Sequence, residues 1–190
     1  MIAVAPRRSW LYVPGDHPER FAKAVASGAD VVICDLEDAV SAANKAIARH
    51  AVTDWLRGHR AVVRVNGVGT PWHEDDVAAI ADAPGLAGVL LPKTDEPAPM
   101  QQLEHQLAKH GDVIPLVETA AGVANAGAIA AAPHVGALAF GSIDFALDLG
   151  IDDTDGVDET AHGSAIQVDG QMIDKPRIDQ ARRVLSMEKR

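Results

Sequence analysis

Residues 31–37 read VVICDLE, a near-continuous apolar, β-branched run that ends in acidic residues. Such a run reads as a strand buried on both faces, which in a parallel sheet is expected where helices cover both sides. Four more apolar runs also end in a charge: AVVR at 61–64, GVLLPK at 88–93, VIPLVE at 113–118 and ALAFGSID at 137–144. Their terminal charges, Glu37, Arg64, Lys93, Glu118 and Asp144, follow one another at intervals of 27, 29, 25 and 26 residues. That is the length of one strand, a short loop and a helix of three or four turns, so the spacing predicts repeated βα units. The charges then stand at the carboxyl ends of parallel strands, where α/β folds gather their ligands.

The segments between these runs fit the same rhythm. SWLYVPG (9–15) supplies a first strand and turn, and DHPERFAKAVASG (16–28) a helix with Asp16 and Glu19 placed as a capping box. Further helices are predicted from Ser41 to Leu56, over PWHEDDVAAIADAPG (71–85), PAPMQQLEHQLAKHG (97–111) and TAAGVANAGAIAAAP (119–133), with a short one in DFALDLG (144–150). Residues 1–151 thus hold about six βα units, as expected of a barrel or a doubly wound sheet.

The rhythm then stops. Residues 152–164, DDTDGVDETAHGS, are acidic and rich in turn formers, and 152–162 read as a connector. A calcium loop is excluded there, because Gly156 at the sixth position puts Ile151 at the first, where a carboxylate is required, and His162 at the twelfth. Residues 163–190 contain AIQVDGQMIDKP (165–176) and a final helix, RIDQARRVLSMEK (177–189). Six units and one helix fall short of an eight-stranded barrel, which takes around 250 residues and at least about 200.

With 190 residues and 47% hydrophobic side chains the chain can bury a substantial core. A formal charge of −10 disfavours nucleic acid and anionic membranes as partners. No apolar stretch reaches the roughly 18 residues of a membrane span, and MIAVAPRRSW (1–10) is too short in its apolar part for a signal peptide, so a cytoplasmic location is expected. Cys34, the single cysteine, lies inside a strand-like run and is expected to be a buried, inert thiol.

Glu118 and Asp144 end consecutive runs, and neighbouring parallel strands lie about 4.8 Å apart. Two carboxylates at that spacing are hard oxygen donors suited to Mg²⁺ or Mn²⁺; equally, each could cap the helix that follows. The eight histidines form no HxxxH pair, which disfavours zinc. Arg64, a cation inside an apolar run, suits bidentate binding of a carboxylate or a structural salt bridge to Glu37 or Asp38. Lys93 could hold a carboxylate or phosphate, or form an ion pair within the barrel.

The strings RSWLYVPGDHPERFAKA (8–24), DLEDAV (35–40), RVNGVGTPW (64–72), LPKT (91–94), PLVETAAGV (115–123) and AFGSIDFALDLG (139–150) resemble, in order, those of the citrate lyase β-subunit family, related to malyl-CoA and citramalyl-CoA lyases. The resemblance implies a (β/α)₈ TIM barrel of the phosphoenolpyruvate/pyruvate superfamily type. It also implies a homo-oligomer of trimeric or hexameric type, Mg²⁺ as cofactor (Mn²⁺ being possible), and cleavage or formation of a C–C bond in a hydroxy-dicarboxylic acyl-CoA thioester.

By the same resemblance Glu118 and Asp144 are the metal ligands, Glu118 also lying against the substrate, and Arg64 holds the substrate carboxylate. Asp35, Glu37 and Asp38 form an acidic layer beside the reacting groups, with Glu37 a catalytic candidate. Arg8 and Lys93 are substrate-binding candidates, Arg8 toward the thioester. Asp174, in GQMID (170–174), is the catalytic acid or base that reaches a neighbouring subunit's site.

The family pattern has about two further βα units between Gly150 and Gly163. Their absence leaves two expectations: the 190 residues belong to a longer chain, or a neighbouring subunit covers the gap. Two alternatives to the lyase stay open, a noncatalytic or assembly paralogue that retains the pocket and a metal-dependent aldolase acting on free 2-oxo acids.

Overall fold

The computed structural model describes residues 7–107, 112–133, 135–150, 166–168 and 171–173. Six parallel strands form one sheet: β1 (Trp10–Pro14), β2 (Val31–Asp35), β3 (Ala61–Arg64), β4 (Leu86–Leu91), β5 (Asp112–Val117) and β6 (Ala139–Phe140). Their spatial order is their order in the chain. A doubly wound sheet reverses direction at a switch point, whereas stepwise order is how a barrel wall is laid down. The architecture is therefore an open, barrel-type α/β wall, with β1 and β6 as its edges among the described residues.

The helices are α1 (Phe21–Ala26), α2 (Lys45–Trp55), α3 (His73–Ile80), α4 (Ala98–Leu107), α5 (Ala120–Ala124), α6 (Ala126–Ala130) and α7 (Ser142–Leu149). Strand alternation divides the core in two. Val32, Cys34, Val63, Val89, Leu91 and Val113 face outward and pack against helix residues such as Phe21, Val52, Leu56, Ile80, Leu103 and Ile129. Val31, Ile33, Val62, Leu90, Ile114 and Leu116 face inward, with Trp10 and Tyr12 against them. The second face of β2 is thus covered by side chains of the barrel interior, not by a second helix layer as the apolar run alone suggested. Each large buried side chain contributes roughly 1.5–3 kcal/mol by leaving water. Cys34 is fully buried, and burial raises its thiol pKa to about 12, as expected of an inert thiol.

Two local expectations are corrected. Asp16 and Glu19 make no capping box: Asp16 Oδ2 accepts from Asn44 Nδ2 at 2.8 Å, Glu19 pairs with His17, and a 3-10 turn at Pro18–Arg20 precedes α1. The alanine-rich segment 119–133 is two five-residue helices meeting at Asn125, whose Nδ2 donates to the Asp95 carbonyl at 2.8 Å.

Beyond Gly150 an antiparallel pair is described, β7 (Ile166–Val168) with β8 (Gln171–Ile173). The acidic connector 152–162 and Asp174 lie outside the described residues. No helix among the described residues is long and apolar enough to cross a membrane.

Candidate active site

The inward-facing register that makes the barrel core turns polar at the carboxyl ends of the strands. Asp35 and Arg64 are the last residues of β2 and β3 and stand opposite each other in register. Arg64 donates from Nε to Asp35 Oδ1 at 2.7 Å and from Nη2 to Asp35 Oδ2 at 2.5 Å, a bidentate pair. Asp35 also accepts from the backbone N–H groups of Glu37 and Ala39, which folds the loop after β2 around it. Burial works against its charge, but the Arg64 guanidinium and these donors hold its carboxyl below the usual range. Burial likewise opposes the Arg64 charge, and Asp35 and Glu37 overcome it, so the guanidinium stays protonated. The face of Tyr12 lies 5.0 Å from the guanidinium carbon.

Glu37 joins two cations. Arg64 Nη1 lies 2.9 Å from its Oε2, an ion-pair contact without hydrogen-bond alignment, and Lys93 Nζ donates to its Oε1 at 3.0 Å. Burial and the neighbouring Asp38 nevertheless push the Glu37 carboxyl upward against the pull of Arg64 and Lys93. Lys93 has φ 51°, a left-handed backbone that turns the chain after β4 so that its own N–H donates to Glu118 Oε1 at 2.9 Å.

Glu118 follows β5 directly and is 2% exposed. Burial, with repulsion from Glu37 and Asp144, raises its pKa to about 8. The other side of this carboxylate is crowded: a Cβ added at Gly141 would lie 2.6 Å from Glu118 Oε2. Thr119 caps α5, its Oγ1 accepting from Gly122 N at 3.0 Å and donating to Asp95. Asp144 is not at a strand end; β6 closes at Phe140, and Asp144 sits in the first turn of α7.

A pocket of about 230 Å³ brings together Tyr12, Asp35, Arg64, Glu118, Gly141 and Asp144. A larger cleft of about 710 Å³, bordered by Glu37, Lys93, Lys45, Asn66, Trp72 and Leu91, opens beyond the Glu37–Lys93 ion pair. Hard oxygen donors, mutual repulsion and a glycine that makes room for Glu118 fit a small divalent cation at Glu118 and Asp144. No group of three or more His, Cys, Asp or Glu side chains placed to hold a metal is found among the described residues. A cation here would therefore keep positions for water and substrate oxygens, as Mg²⁺ usually does.

Of the residues singled out from sequence, Arg64, Glu118 and Asp144 line the small pocket, and Glu37 and Lys93 border the large cleft. Arg64 pairs with Asp35 and Glu37; Asp38 lies 3.8 Å from Lys93 instead. Arg8 is exposed ahead of β1, at the opposite end from the pocket, with its backbone N–H on Asp30. Sequence reasoning missed Tyr12 as a pocket wall and the buried set Lys45, Asn66 and Asp76. The available signal was Asn66, a polar residue two positions past the third strand.

A family model described as HpcH/HpaI aldolase/citrate lyase matches residues 8–171. The chain belongs to that family. All the pocket residues named above lie within the matched span. The citrate lyase subunit beta-like protein of Mycobacterium tuberculosis (strain H37Rv) is 44% identical over 142 residues, covering 74% of this chain and 50% of that protein. A (3S)-malyl-CoA thioesterase of Cereibacter sphaeroides is 38% identical over 150 residues, covering 76% and 52%. The chain thus spans about half the length of the curated relatives it matches.

Among solved structures of the family, the citrate lyase beta subunit from M. tuberculosis complexed with oxaloacetate and magnesium superposes with a TM-score of 0.64 at 41% identity, covering 83% of this chain and 68% of that one. The protein CitE from M. tuberculosis in complex with magnesium, acetoacetate and coenzyme A gives a TM-score of 0.63 at 37% identity, covering 97% and 65%.

Proposed function

We propose that this protein is a Mg²⁺-dependent carbon–carbon lyase that cleaves or forms a hydroxy-dicarboxylic acyl-CoA thioester of the citryl-, malyl- or citramalyl-CoA type. The observation that carries this reading is a single pocket facing two opposite demands, a guanidinium for a carboxylate and a pair of carboxylates for a cation. Support also comes from relatives whose structures hold magnesium with oxaloacetate, or magnesium with acetoacetate and coenzyme A.

Asp35 occupies two of the five Arg64 N–H groups and Glu37 lies against Nη1, so a substrate carboxylate would be oriented by the N–H groups these two acids leave over. Bound at Glu118 and Asp144, Mg²⁺ would act as a Lewis acid toward oxygens of the substrate. In the cleavage direction the hydroxyl proton passes to a base, the C–O bond becomes a carbonyl, and the electron pair of the broken C–C bond enters the thioester enolate. An acid then protonates the enolate carbon. Asp174 is proposed for this proton exchange and Glu37 for holding Arg64 and Lys93 in place. The 710 Å³ cleft beside the pocket offers room for the thioester arm. The exposed Arg8, at the far end of β1, gives no support to a thioester contact.

Incubation with Mg²⁺ and a panel of acyl-CoA thioesters tests this reading. Release of a shorter acyl-CoA with a 2-oxo acid is expected. Free CoA with an intact hydroxy acid would instead indicate the hydrolysis named for the Cereibacter relative, and no turnover would favour the noncatalytic paralogue. Cleavage of the free acid without CoA would favour the aldolase. We further propose that the working form is a homo-oligomer, and that the 190 residues belong to a longer chain or rely on a neighbouring subunit. An intact mass near 19.9 kDa would exclude the longer chain.

A further inference from the structure

Lys45 begins α2, where the positive end of the helix dipole disfavours a cation, and it is 6% exposed. Burial lowers its pKa against the pull of the surrounding carboxylates. A buried ammonium in this position requires compensation. It receives three acceptors, one for each N–H: the carbonyl of Leu36 at 2.6 Å, the carbonyl of Glu37 at 2.7 Å and Asn66 Oδ1 at 2.6 Å. These belong to two strand ends, the first two residues after β2 and the second after β3.

Asn66 completes the brace. Its Nδ2 donates to Leu36 O at 2.9 Å and to Asp76 Oδ2 at 2.6 Å, and its backbone N–H donates to the same Asp76 oxygen at 3.0 Å. Asp76, fully buried in α3, takes Arg49 Nε from α2 at 2.8 Å on its other oxygen. The circuit therefore ties α2 and α3 to the loops that carry Glu37 and follow Arg64. None of these side chains reaches the 230 Å³ pocket, although Lys45 and Asn66 also border the larger cleft.

We propose that Lys45 is a positioning residue for the carboxylate-binding half of the site. It fixes the 36–37 backbone so that Glu37 meets Arg64, and Asn66 and Asp76 hold the end of β3 from the other side. In its effect on substrate this rests on the function proposed above; in its effect on Arg64 it does not. The tests are Lys45→Met and the isosteric Asp76→Asn, which loosens the same brace from α3. Two readings are taken on the full chain: the Arg64 Nε–H resonance without ligand, and titration with Mg²⁺ alone and then with oxaloacetate in its presence.

Both variants are expected to shift or broaden the Arg64 resonance and weaken oxaloacetate at least tenfold, with Mg²⁺ affinity within twofold of the parent. An unchanged Arg64 resonance in a folded variant overturns the proposal, as does equal weakening of Mg²⁺ and oxaloacetate. If the parent protein binds no oxaloacetate, the functional reading fails and the Arg64 resonance alone decides the positioning role. Should Lys45→Met not fold, Asp76→Asn decides.

Discussion

Asp35 and Arg64 meet at one register level of neighbouring strands through two hydrogen bonds, 2.7 and 2.5 Å long, with Asp35 wholly out of water. Asp35 also gathers two backbone donors. Removing one partner of a buried pair costs about 3–5 kcal/mol when the other charge is left uncompensated. Glu37 stays beside Arg64, so Asp35→Asn is expected to lower unfolding stability by no more than that amount, read from urea denaturation.

The Glu118 carboxyl, raised from its ordinary 4.5 to about 8, sets a pH dependence. An acid with a raised folded pKa binds its proton more readily in the folded state. Its contribution to stability is therefore fully present below about pH 4.5 and is lost as pH rises toward about 8. Glu118→Gln should be more stable than the parent protein at pH 9 in the absence of metal, by on the order of a few kcal/mol. The difference should vanish toward pH 4.5. Denaturation at pH 5, 7 and 9 with chelator present measures it; equal stability of the two proteins at pH 9 would refute the assignment.

Gly141 lies where a methyl group would stand 2.6 Å from Glu118 Oε2 and 2.8 Å from its Cβ. Gly141→Ala should push the carboxylate aside and weaken Mg²⁺ binding at least tenfold while the chain stays folded. Calorimetric titration of Mg²⁺ beside a circular-dichroism melt separates these two effects.

Phe140, on β6, an edge strand among the described residues, is 59% exposed and stacks edge-on to Phe145 at 5.4 Å, with Leu138 and Leu149 also exposed nearby in sequence. An apolar sheet edge favours pairing with another chain. Phe140→Ser should reduce self-association, measured as a fall in weight-average mass in sedimentation equilibrium.

The amino-acid sequence by itself determined the six βα units, because apolar β-branched runs and helix-length intervals are local properties of the chain. It also placed Arg64, Glu118 and the Asp144 segment at the functional end, since strand polarity alone puts run-terminal charges there. The motif strings carried the family. Only the tertiary structure decided between a barrel wall and a doubly wound sheet, a matter of which strands pair, on which spacing is silent. It also decided the partners of Arg64: of the expected Glu37 or Asp38, Glu37 lies against Nη1, while the bidentate pair goes to Asp35, which ends its strand level with Arg64. Lys45 and Asp76 were unreadable for the same reason. Each is an ordinary polar residue in a helix pattern, and only when α2 and α3 fold back onto the ends of β2 and β3 do their charges meet three carbonyl oxygens and an amide.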